Sequence, residues 1–95
     1  MKATYERAVV AECPSDGATI IYDLRVETDG HWFEVETLNR SIAAATKRPL
    51  FQEDLTQRIV SELQKRAVTT CVVTTVGLHS GVKITAVAVA KGAAK

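Results

Sequence analysis

Two helical patterns parted by a proline run through residues 38–59, "LNRSIAAATKRPLFQEDLTQRI". In the first, "ETLNRSIAAATK", Leu38, Ile42 and Ala45 recur at helical spacing until Pro49, which lacks an N–H and fixes its own φ, breaks the chain. The second, "QEDLTQRIVSELQKR", sets Leu55, Ile59, Val60 and Leu63 on one face with charged groups opposite. Its last turn carries Lys65 and Arg66, cations that complement the helix dipole. Glu53 stands in its first turn. A carboxylate there can cap the helix by accepting from unpaired N–H groups, or it can hold a ligand that presents donors.

Strand signals flank the helices. "ATIIYDLRVE" alternates Ile20, Tyr22, Leu24 and Val26 against Ile21, Asp23, Arg25 and Glu27, the period of a half-buried strand. The upstream "YERAVVAE" is its partner across the turn-rich "CPSDG", and a turn at Asp29-Gly30 leads through "HWFEV" to the first helix. From Val68 the composition is β-branched, "VTTCVVTTV", followed by "GLHSG" and "VKITAVAVA", which predicts a C-terminal hairpin with a longer loop. The tail "AKGAAK" is expected to fray. The order ββααββ predicts a single α+β domain over residues 1–95, a four-stranded antiparallel sheet with two helices on one face. Its edge strands invite pairing with other copies, and ring closure would remove those edges.

Composition limits what such a domain can do. With 95 residues, 46% hydrophobic and 24% charged, the core is modest. Twelve basic against eleven acidic residues leave a formal charge of +1, and the only basic clusters are Lys47-Arg48 and Lys65-Arg66. That balance does not favour autonomous nucleic-acid binding, so tRNA is not indicated by charge. No apolar run approaches the roughly 18 residues of a membrane span, and the charged N-terminus has no cleavage pattern, so the expectation is a cytoplasmic protein without membrane contact. Cys13 and Cys71 read as reduced thiols. His31 and His79 show no metal-ligand spacing, and no metal site is expected. Trp32 reads as a core or interface aromatic.

At this point the residues carry a resemblance. Leu38, Arg40, Lys47, Arg48, Pro49, Gln52, Glu53, Leu55, Thr56 and Ile59 are similar, without gaps, to the Leu-x-Arg, Lys-Arg-Pro, Gln-Glu and Leu-Thr segment of GTP cyclohydrolase I. Cys13-Pro14, Phe33-Glu34 and Phe51-Gln52-Glu53-Asp54 resemble three motifs of the 7-cyano-7-deazaguanine nitrile reductases: the Cys-Pro loop, the Val-Glu before the first helix and the Phe-His-Glu-Asp opening the second. Both belong to the tunnelling fold, or T-fold, and the resemblance spans about residues 9 to 91. It implies an oligomeric barrel with sites between subunits and a small purine- or pterin-like ligand. It implies that Glu53 anchors a guanine-like edge, with Gln52 and Glu34 as further ligand-binding residues. A carboxylate suits that task because it can accept two parallel N–H donors. The resemblance also implies that Cys13 attacks a nitrile carbon to give a thioimide, with Asp16 as the nearby proton donor, in 7-deazapurine metabolism of the queuosine or archaeosine type. Read from the residues alone, Cys13 is either such a nucleophile or a small buried hydrophobe.

The departures from both families narrow the chemistry. "CPSDGATI" is about three residues shorter than the corresponding loop, leaving Asp16 as the only aspartate near Cys13. The reductases carry Glu-x-Lys-Ser-Leu-Lys where this chain reads Glu34-Val35-Glu36-Thr37-Leu38-Asn39; both lysines are missing, and Glu36 would repel a cofactor phosphate. NADPH is therefore not expected, and transfer of ammonia to the nitrile is favoured over reduction. The cyclohydrolase zinc site needs Cys-x-x-His, whereas Cys13 is followed by Pro14, Ser15 and Asp16, so zinc is not expected either. The alternative is a non-catalytic T-fold module that binds a purine or pterin.

Overall fold

Alternation of apolar and polar residues sets the strands, and their inward rows set where the helices lie. The computed structural model describes residues 2–30, 32–67 and 70–90, in the order β1 (Lys2–Glu12), β2 (Thr19–Asp29), α1 (Val35–Ala45), α2 (Gln52–Arg66), β3 (Cys71–His79) and β4 (Val82–Ala90). His31, the expected strand start at Val68 and Thr69, and the tail from Lys91 lie outside the described residues. The strands form one antiparallel sheet in the order β1-β2-β3-β4, with both helices on one face. This is the predicted ββααββ architecture.

Register explains the core. Tyr5, Leu24, Val26, Val73 and Ala88 fall on the face that meets the helices, with Val26 paired to Tyr5 on one side and Val73 on the other. Leu55, Ile59 and Leu63 of α2 are at most 1% exposed, each contributing on the order of 1.5–3 kcal/mol. α2 packs over β3 and β4, where Ala88 and Ala90 are small enough to let it approach closely. Leu38, Ile42 and Ala45 bury the matching face of α1. Near the α1 N-terminus two aromatic residues lock together: the Tyr5 hydroxyl donates to the Phe33 carbonyl and accepts from its N–H, both at 2.8 Å, while the rings stack at 4.5 Å.

Two expectations need correcting. "GLHSG" is not a long loop: β3 continues through Gly77, Leu78 and His79, and Ser80 (φ 51°) and Gly81 (φ 80°) make a two-residue turn. Positive φ at both central positions matches the twist of the flanking strands, so the short turn is favoured over a wide one. Trp32 is 58% exposed and so is no core residue, because its neighbour Phe33 takes the inward place.

The face away from the helices stays open. Val10, Ile21, Val87 and Val89 are all more than half exposed there, interspersed with Asp23, Arg25 and Glu27. No helix among the described residues is long and apolar enough to cross a membrane.

Candidate functional site

The β1–β2 connection is a tight loop. Its ends are tied by the Cys13 N–H to the Ala18 carbonyl at 2.8 Å and the Gly17 N–H to the Cys13 carbonyl at 2.9 Å, with Gly17 at φ 74°. The Asp16 carboxylate accepts from the Ala18 N–H at 2.9 Å, and that bond, then the Cys13 thiol, hold its pKa below the ordinary 3.8; the His79 charge adds a smaller pull. Asp16 is therefore ionised at neutral pH and sits beside the cysteine.

The first turn of α2 forms the opposite wall. Gln52 Nε2 donates to the carbonyls of Thr75 and Ile84, both at 3.0 Å, and lies 3.2 Å from Thr75 Oγ1. Thr56 Oγ1 bonds the Gln52 carbonyl and Thr75 Oγ1, both at 2.7 Å. This buried cluster clamps the helix start to β3 and β4. With three acceptors around Nε2, the amide cannot be flipped, and only Oε1 of Gln52 is left to meet a ligand.

Glu53 follows the clamp directly. α2 has no side-chain cap, and the Glu53 carboxylate makes no hydrogen bond or ion pair with a described residue. It is exposed and borders a cavity of about 210 Å³ whose lining also includes Cys13, Tyr22, Gln52, Gly77 and His79. Cys13 is only 7% exposed but opens into this cavity. Cys71, by contrast, is 1% exposed on the inner face, where burial pushes its thiol pKa above the ordinary 9.0.

The fold thus gathers Cys13, Gln52 and Glu53 around one hollow, while Asp16 sits exposed beside Cys13 and outside the lining. Glu34 is not among them. It occupies the N-cap position of α1 beside the Tyr5–Phe33 lock, roughly 26 Å along β1 from Cys13 at strand rise. Among the described residues no three His, Cys, Asp or Glu side chains gather as a metal would need.

Sequence reasoning missed Tyr22 and Gly77. Tyr22 reads as an ordinary inward strand residue, yet its ring forms part of the cavity wall. The available signal was a glycine inside a β-branched run, which marks close approach of backbone to another group. A Cβ on Gly77 would stand 2.6 Å from the Tyr22 ring.

A second concavity, of about 340 Å³, lies between the end of α1 and the second half of α2. Here Lys47, Arg48, Arg58, Lys65 and Arg66 converge, and the closely covered Glu62 carboxylate pairs with Arg66 at 2.7 Å and Lys65 at 3.1 Å. Those bonds lower the Glu62 pKa from its ordinary 4.5, the Arg66 bond most.

No protein-family model and no curated protein matches the chain. Among solved structures it is similar to the one described as the crystal structure of the archaeosine synthase QueF-Like in the apo form, with a TM-score of 0.84 over 98% of this chain and 96% of that one. The two sequences are 17% identical, so what they share is the fold. The chain therefore shares the fold of that structure, with the ββααββ architecture read from its sequence.

Proposed function

We propose that this chain binds a 7-deazaguanine-type purine through Glu53 and captures its nitrile on Cys13, the nitrile being carried by the free base or by tRNA. The observation that carries this reading is the unpartnered Glu53 carboxylate on the cavity that Cys13 also lines, with Asp16 bonded to the Cys13 thiol from outside it. A carboxylate free of protein donors has both oxygens available for the amino and ring N–H groups of a guanine edge, in a bidentate charge-assisted pair.

The chemistry follows from the groups present. The thiolate is the attacking form of cysteine, and Asp16, ionised beside it, accepts the thiol proton. The sulfur–carbon bond forms as one carbon–nitrogen π bond breaks, and the proton passes to nitrogen to give the thioimide. Attack by ammonia then releases the thiol and leaves an amidine. This sequence needs neither a hydride donor nor a metal.

The cavity of about 210 Å³ is smaller than most pockets that enclose a ligand alone, and Phe51 and Leu78 on its rim are more than half exposed. A second copy closing over it would complete the site, cover the free edges of β1 and β4, and bring a partner's α1 N-terminus within reach as the source of a Glu34 contact. We therefore propose a homo-oligomer. Sedimentation velocity at micromolar concentration should find an assembled species; a strict monomer overturns the shared site.

Mass spectrometry after incubation with 7-cyano-7-deazaguanine tests the chemistry. An adduct on Cys13 of the mass of the intact ligand is expected. Binding without adduct favours the non-catalytic purine- or pterin-binding module, a reading supported by the shortened loop after Cys13, which leaves Asp16 as the only aspartate near the thiol. Absence of binding overturns both.

A further inference from the structure

The chain has two tyrosines, and the fold treats their hydroxyls differently. Tyr5 is satisfied twice by the Phe33 backbone. Tyr22 is 4% exposed, yet its hydroxyl has no hydrogen-bond partner among the described residues. Buried phenols almost always find a partner. Among the described residues no buried side-chain oxygen or nitrogen is left unpaired, so the Tyr22 hydroxyl is not sealed from solvent, and the residue lines the open cavity.

Its position is fixed by backbone. The ring lies against Gly77 of the neighbouring strand so closely that a Cβ there would stand 2.6 Å from Cδ1 and 2.7 Å from Cε1. Gly77 has an ordinary strand φ, so the glycine serves the close approach and not a turn. Burial, then the nearby Cys13 and Glu53 charges, push the phenol pKa above its ordinary 10.0. The hydroxyl is therefore a donor throughout the neutral range.

The rest of the wall offers few buried donors. Gln52 Nε2 is spent on the sheet, Cys13 is the nucleophile, and Ser15 and His79 are exposed on the rim. Around a guanine-type ring the 2-amino and N1–H donors come first, then the carbonyl oxygen, then the substituent on the five-membered ring. If Glu53 takes the donors and Cys13 faces the nitrile substituent, the group lying between them is the carbonyl.

Resting on the function proposed above, we propose that Tyr22 is the specificity-determining donor of this cavity, its hydroxyl binding the ring carbonyl oxygen of a 7-deazaguanine-type ligand. The acceptor wall of Glu53 and Gln52 Oε1 then selects the donor edge, and Tyr22 rejects rings with no acceptor at the next position.

Tyr22→Phe keeps the ring against Gly77 and breaks no protein hydrogen bond, so thermal melting should be unchanged. Calorimetry would compare parent and variant with 7-cyano-7-deazaguanine and with its 6-thioxo analogue, which keeps the N–H donors and the nitrile but presents sulfur, a weaker acceptor. Loss of one neutral hydrogen bond should weaken binding of the oxo ligand about tenfold in the variant. The parent should prefer the oxo over the thioxo ligand, and the variant should lose that preference. A parent that binds both ligands equally, a variant that binds the oxo ligand as tightly as the parent, or a variant that is weaker but keeps the full preference each overturns the role of Tyr22 while leaving Glu53 and Cys13 untouched. A parent that binds neither ligand overturns the function proposed above, and this role with it.

Discussion

Replacing Gln52 with methionine removes the amide from the base of α2 while keeping an unbranched side chain of similar length. Thr75 Oγ1 retains its 2.7 Å bond to Thr56, so the loss falls on the carbonyls of Thr75 and Ile84, which Nε2 meets at 3.0 Å. Each such bond contributes about 1 kcal/mol net, and a buried acceptor deprived of its donor costs about 1–3 kcal/mol. The apolar methionine offsets part of this, leaving an expected destabilisation of about 2–4 kcal/mol. Against a total of about 5–14 kcal/mol for a domain of this length, that is a large share. Melting should fall by about 10–25 °C. Urea unfolding at one fixed protein concentration would measure it, with the midpoint lowered and the slope unchanged. A loss smaller than about 0.5 kcal/mol would show that the clamp does not hold the helix start, and the account of how Glu53 is positioned would fail with it.

Glu53→Gln turns one acceptor into a donor facing the donor edge of the ligand; affinity for 7-cyano-7-deazaguanine should drop by about 2–4 kcal/mol in calorimetry, while stability changes by no more than the roughly 0.3–1 kcal/mol of the helix-dipole interaction. Cys13, bordering the cavity, should alkylate with iodoacetamide faster than Cys71, which is 1% exposed and whose thiol burial keeps protonated; equal slow labelling of both would favour a structural Cys13. Gly77→Ala should destabilise the fold by about 1–3 kcal/mol despite the usual gain from replacing a strand glycine, because the Tyr22 ring must move; a neutral or stabilised variant would refute the close approach. Glu62, whose folded pKa is depressed by Arg66 and Lys65, contributes stability that is present above its ordinary 4.5 and is lost as pH falls through the lower folded value. Glu62→Gln should therefore flatten the stability profile below about pH 4.5, measured by urea midpoints across pH, and an unchanged profile would deny the pairing.

Periodicity carried most of the architecture, since burial follows it residue by residue: Leu55, Ile59 and Leu63 inward on α2, and Tyr22, Leu24 and Val26 inward on β2. The hairpin was misjudged because Gly77 and His79 look like loop residues, whereas glycine is tolerated in a strand where an aromatic ring lies over it. Cys13, Asp16 and Glu53 were legible as candidates, and the meeting of Cys13 and Glu53 at one hollow needed the register that brings the β1–β2 loop beside the end of β3. Gln52 could not be assigned from sequence because its partners are backbone carbonyls, which every residue carries. The same holds for the basic concavity. Lys47-Arg48 and Lys65-Arg66 are too short to signal anything separately, and only helix packing places them, with Arg58, around one concavity.

The strand order also bears on how the chain reaches this state. β1 with β2 and β3 with β4 are hairpins of near neighbours, joined by short turns, and the two helices form a third local pair. Of the three strand pairings, only the seam between β2 and β3, from Thr28 against Cys71 to Asp23 against Val76, is not a hairpin of consecutive neighbours and spans both helices in sequence. Its six pairs close a loop that contains both helices, and the entropy of that closure must be met before the seam returns any contact. The slow event in folding should therefore be the docking of two preformed halves. Substitutions in the seam, such as Val26→Ala or Val73→Ala, should slow folding itself, while those within either hairpin should chiefly speed unfolding.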